Sequence, residues 1–157
     1  MSCHSCLLRP KSLGEVTLAS ADPFADPLID PKFLSHPDDM KDMIDGYKVM
    51  MRVLGSEPFS KYITEHTQRP IDINNDADIE QAMREGADTV YHPVGTCKMG
   101  DDDMSVVDSR LKVHKVNGLR VVDASIMPTI VGGNTNAPTI MIGEKASDMI
   151  LEDWNIH

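Results

Sequence analysis

Proline is the feature that most constrains how the first third of this chain can fold. Five prolines lie between positions 10 and 37. Each proline fixes its own φ angle, donates no backbone hydrogen bond and moves the preceding residue away from helical geometry. We therefore expect the segment 22–32 (DPFADPLIDPK) to be extended. The alternating segment 15–19 (EVTLA) before it predicts a short strand.

Helical periodicity begins once the prolines end. We predict a first helix that starts near Pro37, has acidic residues at its electropositive end and ends at Gly55. A short helix is expected over 59–66, a third from just after Asp76 to near Gly86, and a last one over 138–151 with proline in its first turn. The apolar stripe of the first helix, read as core packing, is Met40, Met43, Ile44, Tyr47, Met51 and Leu54.

The last third also contains strand signals. Segments 111–113 and 119–122 are apolar, and the pair Asn117-Gly118 between them favours a turn. Short strands and helices without βαβ alternation predict an α+β fold in which a sheet is flanked by helices.

Composition excludes several classes of partner. The chain has 157 residues, enough for one compact domain, and 15 basic against 25 acidic residues give a net charge of −10. That charge disfavours nucleic acid and anionic membrane surfaces as partners. Apolar runs are too short to span a bilayer, and the first residues do not resemble a signal peptide. We therefore expect a cytoplasmic protein without a membrane span.

The cysteines favour neither a disulfide framework nor a metal site. Their number is odd, and Cys3 and Cys6 lie close together around His4. This cluster could supply two or three ligands, but a closed zinc site needs four, and Cys97 lies in a different segment. We expect ordinary thiols and no metal, with a metal-binding protein as the weakest alternative.

Two loops carry the residue types that chemistry at neutral pH needs. In YHPVGTCKMG (91–100), His92 is followed by a proline and then by a flexible Gly-Thr turn. A histidine held in this way suits proton abstraction, although histidines in loops are common. The other loop, GGNTN (132–136), leads into the last helix, whose first turn favours anions. Thr135 or Asn136 could simply cap that helix.

Together these loops resemble the C-terminal signature of the glucose–methanol–choline (GMC) oxidoreductases, which are FAD-dependent enzymes that oxidise alcohols. The resemblance extends over VVDSRLKVHKVNGLRVVDASIMP (106–128) and GGNTNAPTIMIGEKASDMI (132–150). Upstream, residues 6–40 are similar to the choline and alcohol dehydrogenase branches of this family. The whole chain, 1–157, would then be a GMC C-terminal domain. About 1–105 would form the substrate side, and about 106–157 would return to the FAD-binding domain.

The resemblance also implies roles for individual residues. His92 matches the histidine that accepts the proton of the substrate hydroxyl, and Asn134 matches the position that hydrogen-bonds the substrate oxygen. The positions that match the cofactor-binding stretches, and are therefore expected to lie against FAD, are Asp123, Ala124, Asn136, Pro138 and Thr139.

One departure from the family pattern limits what the chain can do alone. No GxGxxG fingerprint occurs, so most of the FAD-binding half is missing. The expected partners are therefore a small alcohol and a separate N-terminal FAD-binding domain, or a second copy that pairs with an exposed strand edge at 119–122. The alternative to a part of an enzyme is a non-catalytic interaction module or remnant that retains the substrate domain.

Overall fold

The polypeptide forms two compact units in a computed structural model that describes residues 3–63 and 71–156. The first unit is Met1–Val90 and the second is Tyr91–His157. The functional division predicted near residue 105 concerns the surfaces that would face substrate and FAD, and it stays a prediction. Each described helix is too short or too polar to cross a membrane.

The first unit begins with a small antiparallel ribbon. Strand β1 (Glu15–Thr17) pairs with β2 (Leu28–Asp30), and Val16 faces Ile29 in the register. All six strand residues are exposed. The strand predicted over 15–19 is therefore present but ends two residues early, and the proline-rich segment supplies its partner. The α+β class is confirmed, and within residues 3–63 and 71–156 its sheet is this one ribbon.

Two helices, α1 (Pro37–Leu54) and α3 (Asp76–Gly86), supply the buried core of the first unit. A short helix between them, α2 (Glu57–Ser60), has no buried residue. The predicted bounds of α1 and α3 hold, whereas α2 begins two residues before position 59 and ends at Ser60. The end of that predicted helix, 64–66, lies outside the described residues. The buried side chains of this core are Met40, Ile44, Tyr47 and Ile79, with Leu34, Met50, Met51, Ile71 and Met83 packed against them.

One buried carboxylate ties the start of α1 to the chain before the ribbon. The side chain of Asp39 is 2% exposed. It accepts hydrogen bonds from the backbone N–H groups of Lys11 (2.9 Å) and Ser12 (2.7 Å) and from the Ser12 hydroxyl. Burial by itself would raise the pKa of Asp39, but the hydrogen bonds from Ser12 and Lys11 outweigh it and hold that pKa below its ordinary value.

We expect Asp39→Asn to lower the free energy of unfolding at pH 7 by about 2–3 kcal/mol, because hydrogen bonds to an ionised acceptor are the stronger kind. A depressed folded-state pKa stabilises the fold above the unfolded-state pKa of about 4, and that stabilisation is lost as pH falls through the folded value. The deficit of the variant should therefore shrink below about pH 4. Urea unfolding followed by circular dichroism at several pH values measures it, with the exposed Asp45→Asn as control. Parallel pH curves for wild type and Asp39→Asn would contradict this role.

The second unit is built around one long helix. Helix α4 spans Asn136–Asp153, slightly longer at both ends than the predicted 138–151. A 3₁₀ turn, Ala124–Ile126, packs against it. The buried core consists of Val107, Leu111, Ile126, Met127, Ile142 and Ala146.

The prediction of two strands in this unit is wrong. Within residues 91–156, segments 111–113 and 119–122 are joined by one isolated bridge, Lys112 with Arg120, and two backbone hydrogen bonds. Leu111 and Lys115 have φ angles of 63° and 64°, which interrupt an extended chain. Leu119 is 51% exposed, so the apolar segment 119–122 is not a buried one. Because 119–122 does not form a strand, the pairing of a second copy with a strand edge there, expected from the sequence, is not supported.

Ion pairs hold the C-terminal end of α4. The last turn carries Asp153, which is unfavourable beside the negative end of the helix dipole. Lys112, Arg120 and Arg110 surround this carboxylate, with Arg110 at 2.8 Å. Their hydrogen bonds, that of Lys112 foremost, lower the pKa of Asp153 to about 2. The bridged segment thus fixes the end of the helix opposite to the glycine-rich loop.

Candidate active site

The candidate site lies within the second unit, where loop 91–100 meets the loop before α4. Tyr91 has a φ angle of 62°, uncommon for an aromatic residue, and His92 follows it directly. Gly95 has a φ angle of 89°, and a Cβ atom there would lie 3.4 Å from the carbonyl oxygen of Met127. The turn predicted at Gly95 is therefore present and requires glycine.

Backbone hydrogen bonds tie this loop to the 3₁₀ turn. The N–H of Cys97 donates to the carbonyl of Ser125 at 3.0 Å, and the N–H of Met99 donates to that of Ile126 at 2.8 Å. Ile126 and Met127 are buried in the core beside α4. The loop that carries His92 is thus anchored on a packed element.

The imidazole of His92 lies between two consecutive residues of the other loop. Its Nε2 is 3.2 Å from the amide nitrogen Nδ2 of Asn134. Its Nδ1 is 3.0 Å from the hydroxyl Oγ1 of Thr135. His92 is half-buried and Asn134 is exposed. The structure therefore brings the two predicted catalytic residues together. The imidazole of His92 and the amide of Asn134 meet where solvent can reach them.

Thr135 is the contact that the sequence did not assign. It occupies the N-cap position of α4, as considered from the sequence, but its side chain makes no capping bond. The hydroxyl lies at His92 instead. No pattern in the loop signals this choice beyond the position of Thr135 next to Asn134.

The predicted cofactor residues fall into two groups. Asn136, Pro138 and Thr139 form the first turn of α4, and the Thr139 hydroxyl donates to the carbonyl of Thr135 at 2.7 Å. Asp123 instead begins the 3₁₀ turn and accepts from the Ser125 N–H at 2.7 Å, followed by the half-buried Ala124. Both groups lie at helix starts. Contacts described for these residues do not join one group to the other.

The first turn of α4 can accommodate an electron-rich group. By helix geometry the N–H groups of Asn136 and Ala137 have no intrahelical acceptor, and Pro138 has no N–H. Asn136 and Ala137 are exposed, and no acidic residue lies in this turn. Donors and the positive end of the helix dipole therefore face outward here.

A cavity of about 450 Å³ lies away from these residues. It is formed by the turn 112–120 together with Asp153 and Trp154. Its charged groups Lys112, Arg120 and Asp153 already pair with one another. The cavity contains neither His92 nor Asn134.

Among the described residues, no group of three or more metal-binding side chains comes together. Cys3 and Cys6 are exposed free thiols, and Cys97 is half-buried.

Comparison with known proteins points to one family. A family model described as GMC oxidoreductase matches residues 10–143. An alcohol dehydrogenase [acceptor] of Pseudomonas putida is 48% identical over 94% of this chain, and an oxygen-dependent choline dehydrogenase of Klebsiella pneumoniae is 44% identical over the same share. The chain spans 27% of the length of each. Formate oxidase of Aspergillus oryzae RIB40, from a structure whose description names FAD modification, matches 96% of this chain with a TM-score of 0.90 and 33% identity, and 27% of that protein is covered.

Proposed function

This chain belongs to the GMC oxidoreductase family, and from that premise we propose that it is the C-terminal portion of an FAD-dependent oxidoreductase that acts on the CH–OH group of an alcohol. The observation that carries the proposal is the contact between Nε2 of His92 and the side chain of Asn134. The substrate class is a small alcohol, consistent with relatives named alcohol and choline dehydrogenases.

The two side chains divide the work on the alcohol. An alcohol hydroxyl that replaces the Asn134 amide at the lone pair of Nε2 would give its proton to His92, and its oxygen would accept a hydrogen bond from that amide. Removal of that proton raises the electron density on the oxygen and makes departure of hydride from the carbon easier. FAD, when bound, supplies the acceptor for that hydride. The protein supplies the base, the orientation and the hydrogen bond.

The start of α4 would hold the flavin end of the cofactor. Its exposed first-turn N–H groups and the side chain of Asn136 offer donors at the positive end of a helix dipole. A reduced flavin carries negative charge, which this end would stabilise. Asp123 and Ala124 would contribute a turn against the same cofactor. These donors fit an electron-rich ring edge.

The pyrophosphate of FAD needs polypeptide beyond these 157 residues. The chain contains no GxGxxG, and each of the matched dehydrogenases is far longer. We propose that a separate N-terminal FAD-binding domain completes the site, with about 1–105 on the substrate side and about 106–157 returning to that domain. The isolated chain is then expected to be inactive.

Reconstitution tests this function. Purified chain would be mixed with FAD, alone and after co-expression with the N-terminal nucleotide-binding part of a related alcohol dehydrogenase. We expect FAD retention on gel filtration, and bleaching of flavin absorbance by alcohol, only in the co-expressed complex. The N-terminal part alone is the control. A well-folded complex that retains FAD but is not bleached by any alcohol of a broad panel, choline included, would overturn catalysis and favour the non-catalytic module.

A further inference from the structure

We propose that Thr135 is a positioning residue that holds the imidazole of His92 in the Nδ1–H tautomer and leaves Nε2 unprotonated beside Asn134. This inference deepens the proposed function, because it rests on His92 as the proton acceptor for its catalytic meaning. The tautomer itself is a property of the chain and can be measured without cofactor or substrate.

The two contacts of the ring determine where its proton lies. The amide nitrogen of Asn134 can only donate, so Nε2, at 3.2 Å, must act as the acceptor. A neutral imidazole has one N–H, which is then on Nδ1. The hydroxyl oxygen of Thr135, 3.0 Å from Nδ1, accepts that hydrogen. The two contacts agree on one tautomer.

The backbone fixes the Thr135 hydroxyl in this place. The carbonyl of Thr135 accepts from both the N–H of Thr139 at 3.0 Å and its hydroxyl at 2.7 Å. A β-branched side chain has few χ1 rotamers. The hydroxyl of an N-cap threonine usually accepts a hydrogen bond from a helix N–H group, and that of Thr135 does not. The first turn of α4 is thus held by the carbonyl of Thr135, while the hydroxyl is available to His92.

The tautomer matters because only an unprotonated Nε2 can accept a proton on the side of Asn134. In the other tautomer Nε2 carries the hydrogen. It then has no lone pair with which to accept the proton of the alcohol hydroxyl. The hydrogen bond to Thr135 therefore increases the fraction of enzyme that is competent for proton removal. Its loss should lower the rate by about 5- to 10-fold, the size of one net hydrogen bond.

Nitrogen NMR of the isolated chain tests the tautomer directly. Long-range ¹H–¹⁵N spectra at about pH 8, where ordinary histidines are neutral, distinguish protonated from unprotonated ring nitrogens. The signals of His92 are those missing in His92→Gln. We expect the Nδ1–H form in wild type and in Thr135→Ser, and a shift toward Nε2–H in Thr135→Val. An Nε2–H form in wild type would mean that Asn134 presents its oxygen to the ring, and it would overturn the proposal whatever the variants do.

Kinetics of the reconstituted complex separate this proposal from the proposed function. Thr135→Val should lower kcat for flavin reduction about 5- to 10-fold with little change in KM, and Thr135→Ser should restore it. An unchanged kcat in Thr135→Val would remove the positioning role. If wild-type complex reduces no flavin at all, the proposed function fails, while the NMR result still decides the tautomer.

Discussion

The rate of alcohol-dependent flavin reduction is expected to fall by about 10²–10⁴ in His92→Ala, the usual contribution of a positioned general base. The side chain of His92 is a titratable group within hydrogen-bonding distance of Asn134. The alanine side chain has no proton acceptor, so water would have to accept the proton of the alcohol hydroxyl. Stopped-flow absorbance of the complex that contains the FAD-binding domain measures the rate, and FAD content is measured in the same sample.

His4→Ala is the matched control for this variant, because His4 is exposed and belongs to the first unit. It should retain the wild-type rate. The loss in His92→Ala should appear while FAD content stays constant, since no FAD contact is assigned to this side chain. A His92→Ala complex that reduces flavin at the wild-type rate would show that another group takes the proton.

The free energy of unfolding should fall by about 2–5 kcal/mol in Ile142→Ala. Ile142 is 6% exposed and packs in the core of the second unit, beside the 3₁₀ turn that anchors the His92 loop. Alanine there removes buried methylene and methyl groups and leaves a cavity that close-packed neighbours fill only in part. Urea unfolding of the chain measures the change.

Ile140→Ala provides an internal control on the same helix. Ile140 is two residues away and 58% exposed. Both substitutions bring the same gain in helix propensity, so the difference between them reports burial alone. We expect Ile140→Ala to stay within about 0.5 kcal/mol of wild type. Equal losses in the two variants would contradict the packing described for α4.

The helices could be predicted from sequence because their signals are local. In α1, apolar residues recur at helical spacing, proline stands at the start and a glycine follows the end. Helix α4 also begins with proline in its first turn. Each of these signals lies within the element that it defines. For α1, α3 and α4, predicted and observed bounds therefore differ by only a few residues.

The predicted hairpin of the second unit failed for a reason that periodicity cannot show. Its apolar residues suit a strand, yet Leu111 and Lys115 adopt left-handed backbone angles. At Leu111 this angle accompanies burial of the side chain in the core, next to the ion pair of Lys112 with Asp153. Context therefore overrode strand propensity.

The site was predictable in part. Family resemblance predicts His92 and Asn134 as catalytic residues, and the fold places these two side chains in contact. For Thr135 the sequence predicts only a capping role, because capping is the usual role of a hydroxyl at a helix start. The sequence indicates Asp39 only as a favourable charge at a helix start, because its partners Lys11 and Ser12 lie 28 and 27 residues away in sequence. Interactions between segments that are distant in the chain produce no periodic pattern in the sequence, so they cannot be predicted from it in this way.

The location of the three site residues has a consequence for chimeric enzymes. His92, Asn134 and Thr135 all follow the boundary between Val90 and Tyr91. A recombination crossover at that boundary would exchange the base and both of its neighbours as one block between homologous genes. A crossover between positions 93 and 133 would instead join the histidine of one parent to the loop of the other. Chimeras with the crossover between Val90 and Tyr91 should therefore retain function more often than chimeras with a crossover between positions 93 and 133.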